Sequence, residues 1–466
     1  MRKLKTKKII FLLAVVLSII LFLYLMIRDN RNDKLSTIDA NSSMINEDKI
    51  TAVQPTIKID STNTPSTNKE IHGITSEAQD QTEIPYSMLL PGLPEEPPPT
   101  SSPDEIIPPD DFIPGSYFEI KYEQLMDDLT VMHEYGITHT WPSFPQITEF
   151  GIQIDGCHNP VWPAVETAKK VGLIWIKQQV RWGDIEYLDG NIRRVRWQCL
   201  DDVAEATSAY GMKLMFSITT SPKYLRPSYA NTVLGPPRDL GAWQQFLSAL
   251  LKRYKGKINA VEIWNEPNLD AEWEEGVNPY QYLDLLRISY TIIRRSDPNI
   301  IVISGGMAPL DQSSYPSYIS DVEYLKNISH EGGFLWFDCV GYHANGPDGI
   351  GYADQVISRF AENIFYKQDS RLRRPLCITE FSFSLPINGQ TPKNFAWAAS
   401  HTEEQQAENM IKWMRIIKRS GLVAIAIVFN LNYSDGLTPN SIAALQRQDL
   451  RGLTLQAIQN ELAANK

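Results

Sequence analysis

Two apolar runs of this sequence end on a glutamate, and together they suggest a particular chemistry. The run VEIWNEPN (261–268) passes from strand-forming residues to an amide, a carboxylate and a proline, and the run CITEFSFS (377–384) carries Glu380. Because proline cannot donate a hydrogen bond to a sheet, the first run should end as a strand near Glu266. Two facing carboxylates can divide the work of glycoside cleavage: one protonates the departing oxygen, and the other attacks or stabilises the sugar cation. The fold must therefore bring these two glutamates together.

Eight short apolar runs, each followed by an amphipathic helical stretch, begin near Gly151 and continue toward the end of the chain. The apolar runs are 151–156, 173–182, 213–222, 260–268, 301–309, 339–346, 375–384 and 424–432. Eight such units in a row predict an α/β fold of the (β/α)8 TIM-barrel type. The alternative is a doubly wound sheet, which usually has a glycine-rich turn after its first strand, and GIQIDGCHNP (151–160) lacks that turn.

Polar residues stand where these predicted strands end, which is where a barrel of this kind collects its functional side chains. They are Arg181 on strand 2, Asn265 and Glu266 on strand 4, His343 on strand 6, Glu380 on strand 7, and Asn430 or Asn432 on strand 8. Glu262 lies four residues before Glu266 and, like Lys177, is predicted to point into the barrel. We expect these two to form a buried structural ion pair.

These motifs resemble those of the clan of retaining TIM-barrel glycoside hydrolases whose catalytic glutamates lie on strands 4 and 7. EIWNEPN (262–268) is similar to the clan's acid/base strand, CITEFSFS to its nucleophile strand, and RWGDIEYLDGNIRRVRWQCLDDV (181–203) to the pattern after its strand 2. The resemblance covers about residues 147–460. It implies a retaining glycosidase that cleaves β-linked oligo- or polysaccharides and needs no metal or organic cofactor.

The resemblance also implies a role for each residue of the site. Glu266 would be the acid/base and Glu380 the nucleophile, while Asn265 would hold the sugar 2-hydroxyl. Arg181 would hydrogen-bond Glu380 and keep its carboxylate ionised. His343 would position or tune one of the two carboxylates or contact the sugar directly, and the alternative for it is a histidine satisfied within the barrel core.

The sequence departs from the clan at the end of strand 8, where many members carry a tryptophan beneath the sugar. AIAIVFNLNYS (424–434) has Phe429 and Tyr433 instead. Trp397 or Trp273 could supply the stacking face, and the alternative for both is loop packing. The sequence therefore does not decide which sugar is cleaved among the xylosides, glucans, mannans, galactans and uronides that members of the clan hydrolyse.

The N-terminal part of the chain differs in composition from the barrel region. MRKLKTKK is basic, and Ile9–Ile27 is an uncharged apolar run that nearly spans a hydrocarbon core of about 30 Å. We predict a cytoplasmic basic tip and transmembrane signal anchor in 1–30, a disordered Pro/Ser/Thr-rich linker in 31–116, and the barrel domain in 117–466. A cleaved signal peptide is the alternative to the anchor, and both place the barrel domain outside the membrane.

Charge and cysteines narrow the class of protein further. The formal net charge of −11 argues against a nucleic-acid partner. The four cysteines have no zinc-like spacing. Cys339 and Cys377 lie in apolar runs and are predicted to be small core hydrophobes, whereas Cys157 and Cys199 could pair in an exported protein. No pattern in the sequence predicts an oligomeric state.

Two other functions fit the same barrel. One is a non-catalytic carbohydrate-binding or surface scaffold protein, which would usually have lost part of the site, although Glu266, Glu380, Asn265 and Arg181 are all present. The other is a transglycosylase, which uses the same residues and differs in the molecule that accepts the sugar.

Overall fold

The chain forms a parallel barrel of eight strands. The computed structural model describes residues 105–106, 148–226, 234–274, 276–345 and 352–464. The barrel strands are β1 (Glu149–Ile154), β2 (Trp175–Arg181), β3 (Lys213–Thr219), β4 (Ile258–Asn265), β5 (Ile301–Gly306), β6 (Val340–Ala344), β7 (Leu376–Phe381) and β8 (Val423–Val428). Each strand pairs in parallel with the next from β1 to β5 and from β6 to β8, and β8 pairs with β1.

The remaining seam, between β5 and β6, is closed by isolated parallel bridges. Ile303 pairs with Cys339, and Met307 pairs with Tyr342. The Ser304 N–H donates to the Cys339 carbonyl at 3.0 Å across the same seam. The sheet therefore closes on itself, which confirms the predicted TIM barrel and excludes the doubly wound alternative.

A helix follows every barrel strand and packs on the outside of the sheet. The main helices are α1 (Val161–Val171), α2 (Gln198–Ala209), α3 (Leu240–Arg253), α4 (Pro279–Ser296), α5 (Asp321–His330), α6 (Ala353–Asn363), α7 (Glu403–Ser420) and α8 (Leu453–Ala463). Helix α7 shows how the sequence sets their ends. Thr402 and Gln405 form a capping box at its start, and Gly421 takes the left-handed conformation at its end.

The barrel lumen changes character along its axis. Its lower layer, toward the N-terminal strand ends, is apolar and includes Trp175, Met215 and Ile303. Gly151 makes room there, because a Cβ at this position would lie 2.4 Å from the Cβ of Trp175. Above this layer the lumen side chains become polar and charged, beginning with Lys177, which lies directly beneath the mouth.

Two disulfides tie the described part of the chain together. Cys157 pairs with Cys199 and Cys339 with Cys377. The first pair fulfils the possibility raised by the sequence. The expectation that Cys339 and Cys377 are unpaired core residues is wrong, because Cys339 immediately precedes β6, Cys377 lies in neighbouring β7, and their Cα atoms are 5.8 Å apart.

A small antiparallel sheet follows β2. A hairpin of Glu186–Asp189 and Ile192–Val195 is joined by the strand Glu105–Ile106, which pairs with the second hairpin strand. These two residues lie inside the predicted disordered linker, so that stretch contains at least one ordered contact with the barrel domain. Elsewhere, the predicted linker and Ile9–Ile27 lie outside the described residues. Within those residues, no helix is long and apolar enough to cross a membrane.

Candidate active site

The two glutamates predicted from the sequence meet at the C-terminal mouth of the barrel. Glu266 directly follows β4, and Glu380 lies near the end of β7. One nitrogen joins them, because Nδ1 of His343 lies 2.9 Å from Oε1 of Glu266 and 3.6 Å from Oε2 of Glu380. These two carboxylate oxygens can therefore be no farther apart than the sum of those two distances. His343 contacts both carboxylates, whereas the sequence predicted contact with one.

The backbone around Glu266 departs from strand geometry to present its side chain. Trp264 has a φ of +77° and Glu266 a φ of +37°, a region that non-glycine residues rarely occupy. The surroundings hold this turn in place. The Glu266 N–H donates to the Gly306 carbonyl at 3.0 Å, and the buried Asn268 amide hydrogen-bonds the backbone of Ala308 and Ile319. The NEP segment is thus a rigid turn that aims a carboxylate.

Two glycines at the end of β5 make room for this arrangement. A Cβ on Gly305 would lie 2.9 Å from Cδ of Pro267, and a Cβ on Gly306 would lie 2.2 Å from Nε2 of His343. Any larger residue would therefore push on the NEP turn or on the imidazole. The two glycines that end IVISGG are therefore required by close contacts with Pro267, which follows β4, and with His343 on β6.

Lys177 lies beneath Glu380 and is its cationic partner. Nζ of Lys177 lies 3.1 Å from an oxygen of Glu380 and 3.1 Å from an oxygen of Glu262, and it also donates to the Thr379 carbonyl at 3.2 Å. Lys177 and Glu262 are fully buried, which confirms the expected ion pair. That pair is extended by Glu380 into a group of three charges.

The predicted hydrogen bond from Arg181 to Glu380 is wrong. Nε of Arg181 donates instead to Asp184 at 2.6 Å. Arg181 and Lys177 share one face of β2 because they are four residues apart, but Lys177 lies about 13 Å deeper along the strand. The deeper cation reaches the carboxylate of β7, and Arg181 remains at the rim of the mouth.

The surroundings give the two glutamates different environments. Burial alone would raise the pKa of Glu380, but the charges of His343 and Lys177, with hydrogen bonds from Lys177 and Asn345, outweigh burial and hold its pKa below the usual carboxyl range. The Glu380 side chain is 7% exposed, and that of Glu266 is 24% exposed. Glu380 is therefore a sealed, ionised carboxylate, and Glu266 is the more accessible of the two.

His343 carries a matching perturbation. Burial alone would lower its pKa, but the charge of Glu380 and the hydrogen bond and charge of Glu266 outweigh burial, so the pKa of His343 is raised. Its Nε2 is buried with no hydrogen-bond partner among the described residues. The ring contacts both glutamates through Nδ1.

A cavity of about 460 Å³ opens above the pair. Its lining includes Gln153, Gln179, Arg181, Asn265, Glu266, Glu272, Asn345, Glu380, Phe395, Phe429 and Tyr433. The buried Oδ1 of Asn265 has no hydrogen-bond partner within the described ranges. Asn265 therefore offers a free acceptor to a hydroxyl group in this cavity.

The aromatic face of the cavity differs from the one expected. Phe395, Phe429 and Tyr433 line it. Trp397, expected to bind substrate, is not among the lining residues and packs against Phe395 with ring centroids 5.6 Å apart. Trp273 is buried in the core against Trp264. The loop after β7 does supply an aromatic ring, but from two positions earlier than expected.

Sequence reasoning missed Asn345 and Glu272. Nδ2 of Asn345 donates to Oε2 of Glu380 at 2.9 Å. Its position two residues after His343, at the end of the same strand, could have indicated this role. Glu272 belongs to the short helix Asp270–Trp273 that follows the NEP turn.

No group of three or more His, Cys, Asp or Glu side chains in the described residues could hold a metal ion.

Solved structures share this architecture. A family 39 glycoside hydrolase from the gut symbiont Bacteroides cellulosilyticus WH2 superimposes with a TM-score of 0.53 at 16% identity, over 70% of this chain and 65% of that one. A family 39 enzyme from Xanthomonas axonopodis pv. citri gives 0.51 at 18% identity, over 68% and 66%. A family 39 β-xylosidase from Caulobacter crescentus gives 0.50 at 21% identity, over 68% and 71%.

These similarities establish the fold. This chain spans just under two thirds of the length of the Bacteroides protein. No protein-family model and no curated protein matches the sequence. The chain has the (β/α)8 fold of the TIM-barrel glycoside hydrolases, with glutamates on β4 and β7 facing one cavity.

Proposed function

We propose that this protein is a retaining glycosidase that cleaves β-linked sugars by double displacement, with Glu266 as acid/base and Glu380 as nucleophile. The observation that carries the proposal is the pair itself. Both carboxylates contact the imidazole of His343 at the barrel mouth and line one cavity. Only Glu380 has a buried lysine beneath it. A non-catalytic sugar-binding barrel would have no need of two adjacent glutamates of which only one is paired with a buried cation.

The chemistry assigns one step to each carboxylate. In the first step an oxygen of Glu380 bonds to the anomeric carbon while the glycosidic bond breaks, and Glu266 gives its proton to the departing oxygen. In the second step Glu266 takes a proton from water, which attacks the anomeric carbon and releases Glu380. Transfer to a sugar hydroxyl instead of water gives transglycosylation, and product analysis distinguishes the two.

The neighbours of Glu380 support its role. A nucleophile must be ionised, and Lys177, His343 and Asn345 all stabilise its charged form. Asn265 supports substrate binding, because its free Oδ1 is suited to accept a hydrogen bond from the 2-hydroxyl.

We further propose that the barrel domain, 117–466, works outside the membrane, tethered by an anchor in 1–30 and a linker in 31–116. The apolar run Ile9–Ile27 supports the anchor, and the two disulfides support an oxidising location. The substrate that binds in the cavity is an oligo- or polysaccharide. One β-xylosidase has the same fold, so a β-xyloside belongs among the first substrates tested.

The test compares Glu266→Ala and Glu380→Ala on aryl β-glycosides with good and poor leaving groups. Glu266→Ala should lose several orders of magnitude on poor leaving groups and much less on activated ones, and azide should restore turnover. Glu380→Ala should lose activity on all substrates, and azide rescue should invert the configuration of the product.

Glu323→Ala is the matched control, because Glu323 is an exposed glutamate in the first turn of α5 and does not line the cavity. It should behave as wild type. If both alanine variants at the mouth kept near wild-type rates on a substrate that the parent hydrolyses, the glutamates would be structural. Binding of sugars without hydrolysis by the parent would favour the carbohydrate-binding alternative.

A further inference from the structure

A third glutamate lines the cavity beside the catalytic pair. Glu272 belongs to the short helix Asp270–Trp273 and shares the cavity with Glu266 and Asn265. The reaction proposed above needs two carboxylates, so this third one has no part in bond making or bond breaking. A carboxyl group that faces a sugar-sized cavity without a catalytic task is placed to bind the substrate.

The backbone of Glu272 is fixed from two sides. Its N–H donates to the Leu269 carbonyl at 3.1 Å, and its carbonyl accepts from Nε1 of Trp264 at 3.0 Å. The next residue, Trp273, is 1% exposed and packs edge-on against Trp264 and Tyr282. The side chain of Glu272 therefore projects from a rigid base, as a binding residue requires.

The side chain of Glu272 has a polar neighbour that also lines the cavity. The carboxyl group of Glu272 lies near the amide of Asn265, and both side chains line the cavity. The Oδ1 of that amide remains without a partner in the described residues. Asn265 and Glu272 together thus present adjacent hydrogen-bonding groups to one side of the cavity.

We propose that Glu272 is a substrate-binding residue that, next to Asn265, holds a hydroxyl group of the sugar bound at Glu266. This inference rests on the proposed glycosidase function and adds a specificity determinant to it. The ligand class is a neutral sugar whose vicinal hydroxyls can bond Asn265 and Glu272 at the same time.

The protonation state of Glu272 suits this task. Burial and the charge of Glu266 raise its pKa, and the Asn265 amide, His343 and Arg181 lower it, which leaves the pKa at about 8. Glu380 and Tyr433 are the other titratable groups on the cavity wall. Below this pKa Glu272 is a neutral acid that both donates and accepts a hydrogen bond, and above it only accepts.

The experiment measures KM and kcat against pH for wild type, Glu272→Gln and Glu272→Ala on the neutral aryl glycoside that the wild type hydrolyses best. Glutamine copies the shape and hydrogen-bonding capacity of the protonated acid. We expect wild-type KM to rise above about pH 8, and Glu272→Gln to keep a near wild-type KM without that rise. Glu272→Ala should raise KM about tenfold at every pH and change kcat much less.

Asp311→Asn is the control, because Asp311 lies in the loop after β5 with its side chain 63% exposed and does not line the cavity. It should match wild type throughout. An unchanged KM in Glu272→Ala, or the same alkaline rise in Glu272→Gln as in wild type, would overturn the inference while leaving the glycosidase intact. A wild type that hydrolyses no glycoside would overturn both.

Discussion

Lys177 is the residue whose role sequence reasoning understated. Alternation along β2 correctly pointed its side chain into the barrel and correctly paired it with Glu262. Its contact with Glu380 depends on how far β7 is shifted along the barrel axis relative to β2, and local sequence patterns do not predict that shift. The contact between Arg181 and Glu380 was implied by the family resemblance, and the structure puts Lys177, on the same face of β2, in that place.

Replacing Lys177 should change the pH dependence of catalysis. In Lys177→Met combined with Glu262→Gln, the pKa of Glu380 should rise because a cation that lowers it has gone. Glu380 must be ionised to attack, so the acidic limb of kcat/KM should move to higher pH, and activity near pH 5 should fall more than activity near pH 7. Rate profiles against pH for the soluble barrel domain test this.

The second substitution avoids a buried, unpaired carboxylate, which would cost about 3–5 kcal/mol of stability. Glu262→Gln alone is the control. It leaves Lys177 on Glu380, so its acidic limb should not move upward. An unshifted limb in the double variant would show that Lys177 is a structural cation only.

At the scale of elements, the sequence predicted the barrel well and its details less well. All eight strands lie within a few residues of their predicted bounds; β4, for example, was predicted at 260–268 and spans Ile258–Asn265. Periodicity and turn residues suffice for this. The disulfide between Cys339 and Cys377 was missed because it depends on the register of β6 against β7. The order of strands in a barrel, with each cysteine three or four residues before a polar strand end, could have suggested it.

The glycine at the end of β5 gives a test of how one strand shapes its neighbour. In Gly306→Ala the new methyl group would lie 2.2 Å from Nε2 of His343 and should turn the imidazole away from both glutamates. A misplacement of about 1 Å in an active site can cost about a hundredfold, so kcat/KM should fall by that order. Steady-state kinetics measure the loss.

The double variant Gly306→Ala/His343→Ala separates this cause from general damage. If the methyl group acts through the imidazole, the double variant should be no slower than His343→Ala alone. Fully additive losses would contradict that explanation. Thermal unfolding of each variant checks that the barrel remains folded.

At the scale of the whole molecule, two disulfides close loops of similar length. The sequence separations are 42 and 38 residues. One bond links the loop after β1 to α2, and the other links two neighbouring strands within the barrel wall. Both restrict the unfolded chain in a domain that we propose to work outside the cell membrane.

Removing either disulfide should lower the free energy of unfolding by about 3–4 kcal/mol, because an unfolded loop of this length gains that much conformational freedom. Equilibrium denaturation of Cys157→Ala/Cys199→Ala and of Cys339→Ala/Cys377→Ala measures the loss for each pair. The kcat/KM of the first variant should stay near wild type, since neither cysteine lines the cavity. Denaturation curves that are identical with and without reductant would contradict a stabilising role.

The three charges around Lys177 have a consequence for the proton balance of the proposed reaction. Before reaction, this group holds one cation, Lys177, and two anions, Glu262 and Glu380. When Glu380 forms an ester with the sugar its charge disappears, and Lys177 and Glu262 remain as a neutral ion pair. These three side chains therefore carry no net charge in the covalent intermediate, without taking up a proton or an ion from solvent. In the proposed reaction the proton is carried by Glu266, on the open side of the mouth.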